Sequence, residues 1–329
     1  MKRNLFRALA ILLALTLSLG VLSGCGSSAG SSPAASSQGT SASASGSAAA
    51  SGSAAASGSE SASSSQSGTE TYTVEGVDLN NLGPVLQKIY DSGTLVVGND
   101  SSYPPFGFID TTTNQAVGVE REMATAIAAR LSEVLGKEIT LDFQSMDFSA
   151  VLSSLSTGKI DLICSCCTVT EERKEIMDFS DPYLQTQDVM LILKENADQY
   201  HSLEDFKGKA LAANTGSSQE VRANSISDNV TSTNTVSDAI LQLTSGKVDA
   251  IVVDNITAER YSVNSDDLYS FELSDDEVEQ VDKAVAMQKG NDDLKAIVNT
   301  VVADVTESGQ VDEWVTEYAK MAADMGLNS

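Results

Sequence analysis

LSSLSTGKIDLI at 152–163 returns without a gap as ILQLTSGKVDAI at 240–251. Both copies share one grammar: an apolar helix end, a glycine, a lysine, and a strand with aspartate at its second position, Asp161 and then Asp249. Glycine suits a helix stop because it enters the left-handed region without a Cβ clash. One copy alone is an ordinary helix-to-strand connection; two point to two α/β units of related build. Working outward, apolar spacing predicts a short helix over 85–90 that ends before Gly93 and a buried strand over 94–98. A helix over 119–135 follows from Val119, Met123, Ile127, Leu131 and Leu135, with Gly136 as its stop. A strand over 139–143, a helix over 148–155 and a strand over 160–165 complete the first unit. Strands alternating with helices imply parallel α/β sheets. In such sheets ligands bind outside the carboxyl ends of the strands. Those ends are Ser165-Cys166-Cys167-Thr168 in the first copy and Val253-Asp254-Asn255 in the second. Two sheets with these ends facing one another would line a cleft.

Composition narrows the chemistry. The 329 residues carry 20 Lys and Arg against 46 Asp and Glu, a formal charge of −26, with one His and four Cys. A His-rich metal site is excluded, and a Ser-His-Asp triad would have to use His201, which reads as a solvated loop residue. So acidic a chain lacks the basic patch that nucleic-acid phosphates require. Four Cys are too few for a disulfide scaffold. The acidic run Asp275-Asp276-Glu277 lacks the spacing of a calcium loop and reads as a solvated face. Trp314 and Tyr318, four apart on a final helix, read as core.

The first residues are read as targeting. Lys2, Arg3 and Arg7 precede an apolar run over 5–22, and Leu22-Ser23-Gly24-Cys25 closes it. This predicts a signal peptide over 1–24. LSGC resembles the lipobox of bacterial lipoproteins, whose Cys is diacylated; an ordinary signal or a membrane helix is the alternative. Two acyl chains suffice for stable anchoring. Cleavage would remove three positive charges and take the net charge from −26 to −29. From Cys25 to about residue 76 the chain is a lipidated Cys and a Ser/Ala/Gly linker, too poor in apolar surface to order itself. Its reach is on the order of 35–40 Å. No later stretch has 18 consecutive apolar residues, so no membrane helix is predicted after it.

The segments GNDSSYPPFGF (98–108), GVEREMATAIAARL (118–131), MDFSAVLSSLSTGKIDLI (146–163), TVTEERKEIMDFSDPY (168–183), NTGSSQE (214–220) and KVDAIVVDN (247–255) carry a further signal. In this order they resemble the polar amino acid ABC-transporter substrate-binding proteins, the family 3 solute-binding lipoproteins. The match runs from about 82 to 326, with 168–183 its most specific stretch. The resemblance implies a two-lobed type II periplasmic-binding fold, each lobe a mostly parallel sheet flanked by helices, joined by a two-strand hinge. It implies lobe 1 over 77–187 and 286–329, lobe 2 over 191–281, and hinges near 186–190 and 282–286.

The resemblance also assigns roles. Arg173 would hold the ligand carboxylate, since guanidinium matches carboxylate bidentately; otherwise it is a solvated charge in TEERKE. Asp254 would hold the ammonium, or else cap the helix that follows. Thr168 and Ser218 would offer backbone N–H groups to the carboxylate, with the Thr168 hydroxyl accepting from the ammonium; plain turn chemistry is the other reading. Tyr103 and Phe148 would sandwich the ligand side chain, or belong to a turn and the core. Asp100 would meet the distal end of that side chain, favouring an amide or a cation. Asn214 stands where glutamine-binding members have Lys. Glu120 replaces the usual Asp, with no functional effect expected. Cys166 sits where members carry small residues or Met, and Cys164, Cys166 and Cys167 read as free buried thiols, a Cys166–Cys167 disulfide being the alternative.

The expectation is therefore an extracytoplasmic, lipid-anchored, monomeric protein. It captures a polar amino acid and delivers it to the transmembrane subunits of an ABC permease, with no catalytic residue, metal or cofactor. A tethered sensing domain for chemoreception or signalling is the second class. An enzyme on the same fold, such as a dehydratase, is the third, with only Asp100 and Asp254 as candidate acids or bases.

Overall fold

A computed structural model describes residues 73–327. The expected signal peptide, Cys25 and the linker as far as residue 72 lie outside the described residues. The chain order is α1 (Pro84–Ser92), β1 (Thr94–Asn99), β2 (Ser102–Tyr103), β3 (Gly107–Asp110), β4 (Gln115–Val117), α2 (Val119–Leu135), β5 (Thr140–Ser145), α3 (Phe148–Ser156), β6 (Leu162–Ile163), α4 (Glu171–Ile176), β7 (Met177–Phe179) and β8 (Leu184–Leu193). It continues through β9 (Leu211–Asn214), α5 (Ser218–Ile226), β10 (Val230–Thr233), α6 (Val236–Thr244), β11 (Ala250–Asp254), α7 (Asn255–Val263), β12 (Leu268–Phe271), β13 (Gln280–Lys283), β14 (Ala286–Gln288), α8 (Asp292–Glu307) and α9 (Gln310–Asp324).

Two five-strand orders define two lobes: β5-β1-β6-β14-β7 and β10-β9-β11-β8-β12. In each, the strands of the α/β unit run parallel, β5, β1 and β6 in the first and β10, β9 and β11 in the second. The sheets are mixed, because β14 returns antiparallel between β6 and β7, and β8 runs antiparallel against β11 and β12. β8 also belongs to a second ladder. Its residues 184–187 pair with β13, Leu184 opposite Lys283 and Gln187 opposite Gln280. Its remainder enters the second sheet, beginning at Asp188 opposite Asp254. β14 then carries the chain back into the first sheet.

The repeated motif has a physical content that its spelling concealed. Asp161 N–H donates to Val96 O (2.8 Å), and Asp161 Oδ2 accepts from Val96 N (2.9 Å). Asp249 N–H donates to Ala210 O (2.7 Å), and Asp249 Oδ2 accepts from Ala210 N (2.8 Å). Each aspartate closes a ring on the neighbouring parallel strand, and each motif glycine is left-handed, Gly158 at φ +71 and Gly246 at φ +69. The two units are thus built alike. The side-chain bond also shortens the first strand: β6 begins at Leu162, where 160–165 was expected, because Asp161 pairs through its carboxylate.

Each lobe has its own core. α2 lays Val119, Met123, Ile127 and Leu131 against α8 and β1, all four fully buried. Val151, Leu155 and Ile160 fill the opposite face of the first sheet. In the second lobe, α6 and α7 cover one face around Leu243, Val253 and Tyr261, and Phe206 and Leu211 centre the other. Trp314 and Tyr318 pack at the margin of the first core, half-buried, with the Tyr318 hydroxyl donating to Glu122 (2.5 Å). Of the acidic run, Asp275 and Asp276 are exposed, whereas Glu277 accepts from Leu203 N (2.8 Å) and the Ser274 hydroxyl (2.6 Å) and ties two loops together.

Candidate ligand-binding site

The carboxyl ends of β1 and β6 lie side by side and fix each other. Asn99 Nδ2 donates to Cys164 O (2.7 Å), and Asp100 N donates to Ser165 Oγ (2.9 Å). Glu120, fully buried at the start of α2, accepts from Cys166 N (2.9 Å) and from the Tyr183 hydroxyl (2.6 Å). Cys166 stands at φ +48, a conformation that non-glycine residues rarely adopt and that persists only where surroundings enforce it. Glu120 is part of that enforcement, since it holds the Cys166 N–H. Burial raises the Glu120 carboxyl to about 7, against the lowering effect of its two donors.

The loop fixed in this way delivers Thr168 and leads into α4. Thr170 caps α4 by accepting from Arg173 N (3.1 Å). The Arg173 guanidinium then reaches back to Thr168 O (2.7 Å) and across to Gly216 O of the second lobe (3.0 Å), over the ring of Phe148 at 5.5 Å. From the second lobe, Ser217 caps α5 and sets Ser218 at its first position, whose hydroxyl donates to Thr168 Oγ1 (2.8 Å). Asn214, at the end of β9, donates from Nδ2 to Asp100 Oδ2 (3.1 Å). The Tyr103 hydroxyl donates to Asp254 Oδ2. Four side-chain contacts therefore join the lobes around one cavity.

Asp100, Tyr103, Phe148, Cys166, Thr168, Arg173, Asn214 and Ser218 all lie on its wall. A wider groove continues outward past Thr168, Arg173 and Ser218 to solvent. Asp254 differs from its expected place. It is fully buried behind Tyr103, off the wall, and its other oxygen accepts from Thr257 N (2.9 Å) as the cap of α7. The expected cap of the following helix is present. Cys164, Cys166 and Cys167 are free and buried, and the disulfide alternative is absent. Burial pushes all three thiols up, away from reactive thiolate. Among the described residues no three His, Cys, Asp or Glu side chains converge as metal ligands would.

The sequence reading missed Lys283. It ends β13, is 2% exposed, lines the cavity and donates from Nζ to Thr168 Oγ1 (2.7 Å). Its signal was a charge, beside Asp282, at the head of the apolar return run AVAM. Asp188 was missed too. Gln219 Nε2 donates to it (2.7 Å), and burial raises it to about 6 despite the nearby Lys283 charge.

Over residues 95–321 the sequence matches the bacterial extracellular solute-binding proteins, family 3. The chain belongs to that family. This solute-binding protein is 30% identical over 223 residues to the arginine-binding extracellular protein ArtP of Bacillus subtilis, covering 67% of this chain and 83% of that one. It is also 30% identical over 227 residues to the L-cystine-binding protein TcyJ of Escherichia coli, covering 68% and 82%. Its fold matches the amino acid ABC transporter substrate-binding protein AbpA of Streptococcus pneumoniae, solved bound to L-arginine. The TM-score is 0.66 at 31% identity, covering 72% of this chain and 98% of that one. These relatives are binding proteins rather than enzymes. The solute-binding protein thus presents a type II periplasmic-binding fold with its wall residues drawn from both lobes.

Proposed function

We infer that this protein captures a polar amino acid between its lobes and hands it to an ABC permease, without making or breaking a covalent bond. The observation that carries the reading is Arg173, a cation held by one carbonyl from each lobe at the rim of a shared cavity. A ligand carboxylate on that guanidinium would touch both halves at once. Tyr103 and Phe148 would flank the ligand's apolar stem, with Asp100 and Asn214 at its far end. Such a ligand favours the closed arrangement by contacts that exist only there. The paired segments 184–187 and 280–283 would serve as the hinge between lobe 1 and lobe 2. Diacylation at Cys25 and the Ser/Ala/Gly linker would keep the protein, as a monomer, on the extracytoplasmic face of the cell membrane near its permease. A thermal-shift screen of the twenty amino acids and their derivatives tests the reading, since a ligand bound only by the native state raises Tm. At least one compound should raise Tm in the unsubstituted protein and fail to do so in Arg173→Ala. A flat screen, or equal shifts in both proteins, would sink it.

A further inference from the structure

Two neighbours decide what the Thr168 hydroxyl can do. Thr168 and Lys283 stand opposite one another in an antiparallel bridge. Val169 N–H donates to Asp282 O (2.9 Å) on one side of it, and Ala284 N–H to Cys167 O (3.1 Å) on the other. The loop that delivers Thr168 to the cavity is thus laddered to the segment that returns the chain between the lobes. From this position Lys283 Nζ donates to Thr168 Oγ1 (2.7 Å), and Ser218 Oγ of the second lobe donates to the same oxygen (2.8 Å). Gln219 Oε1 competes for the Ser218 proton only from 3.3 Å, beyond the usual O–H···O range. A hydroxyl oxygen accepts twice and carries one proton. With both acceptor positions filled, Thr168 has only its proton left to offer.

The Glu120 and Asp188 carboxylates face the Lys283 charge. The bearing of Lys283 on the cavity is therefore that of a donor that fixes a neighbour, not that of a bare cation. Thr168 lies on the wall, and Arg173 grips its carbonyl (2.7 Å). One residue thus brings together a guanidinium and a hydroxyl that can only donate. A carboxylate has an oxygen for each of these donors. An α-carboxamide has a single oxygen, so its N–H₂ group, itself a donor, must face one of them.

We propose that Lys283 is a positioning residue for ligand capture: by filling an acceptor position of Thr168 it commits that hydroxyl to the ligand carboxylate, and so sharpens the choice of an amino acid over its α-carboxamide. This rests on the amino-acid reading above. Isothermal titration calorimetry on the purified protein takes the twenty L-amino acids and their α-carboxamides as probes. The readout is the ratio of the two affinities for the tightest-binding amino acid. Lys283→Met should cut that ratio about fivefold or more, because Thr168 regains a position that can accept from the carboxamide N–H₂. Lys283→Leu takes its place if the Met variant does not fold. Thr168→Val, which keeps the carbonyl that Arg173 holds, should cut the ratio as well. The double substitution should cut it no further than the larger single effect, since Lys283 acts through the hydroxyl. Lys283→Gln, which keeps a donor for Thr168, should restore the ratio to within threefold. A ratio unchanged without Lys283 overturns the proposal. Effects of Lys283 and Thr168 that add, or a Gln variant that behaves as the Met variant does, overturn it equally. In each of these cases the amino-acid reading stands. If none of the twenty amino acids binds, both fall together.

Discussion

Glu120 makes stability depend on pH in a direction opposite to that of most paired carboxylates. Its folded-state pKa is raised from 4.5 to about 7 by burial. The native state therefore holds a proton that the unfolded chain releases between these values. Stability from the neutral carboxyl is fully present below about pH 4.5 and is lost as pH rises through about 7. A shift of this size, at 1.36 kcal/mol per unit, corresponds to a loss on the order of 3 kcal/mol. Glu120→Gln isolates the effect, because the amide oxygen can still accept from Cys166 N and the Tyr183 hydroxyl while the group no longer ionises. Asp188, raised to about 6, contributes a slope common to both proteins. Urea unfolding at pH 4, 5, 6, 7 and 8 should give near-coincident stabilities at pH 4, below both pKa values. At pH 8 the Gln variant should lead by about 3 kcal/mol. Two curves that stay parallel across this range would refute the reasoning.

Other consequences are equally direct. Arg173→Ala should weaken binding of the cognate ligand by about 2–5 kcal/mol in calorimetry, since a buried carboxylate loses its cation; an affinity within threefold of the original would contradict the site. Asp161→Ala and Asp249→Ala should each destabilise the fold by about 1–3 kcal/mol in urea, because each strands one strand N–H, of Val96 and of Ala210. A cost under about 0.5 kcal/mol in either would break the equivalence of the two units. Cys166→Ser should leave ligand affinity unchanged within threefold by calorimetry, the thiol being a passive part of the wall; abolished binding would give it an active role.

Legibility divided along physical lines. What depends on local periodicity could be read: α2 spans the predicted 119–135, and the repeat announced two similar units. What depends on long-range pairing could not. Glu120 meets partners 46 and 63 residues away, so its hold on Cys166 has no local trace. The antiparallel strands β8 and β14 arise from the chain crossing between lobes, which no apolar alternation records. Most of the site residues carried by the resemblance reached the cavity because they sit at strand ends or helix starts, where the fold fixes them. Asp254 stands at the expected strand end, but its carboxylate caps α7 and meets the Tyr103 hydroxyl behind the cavity wall. Lys283 shows the converse, a buried cavity-lining charge at the head of a run that reads as core.

The double membership of β8 bears on how the halves would swing. Four residue pairs clamp its first part to β13 and five clamp its continuation to β11. Relative rotation would then draw on the stretch where partners change, around Gln187 and Asp188, together with the return crossing between β13 and β14. Gln187 N is tethered to Asn255 Oδ1 (2.9 Å), and Asp188 is tethered to Gln219 (2.7 Å). This crossing is thus wired to the first turns of α7 and α5, so a molecule tugging on either helix would pull on the segment that joins the two sheets.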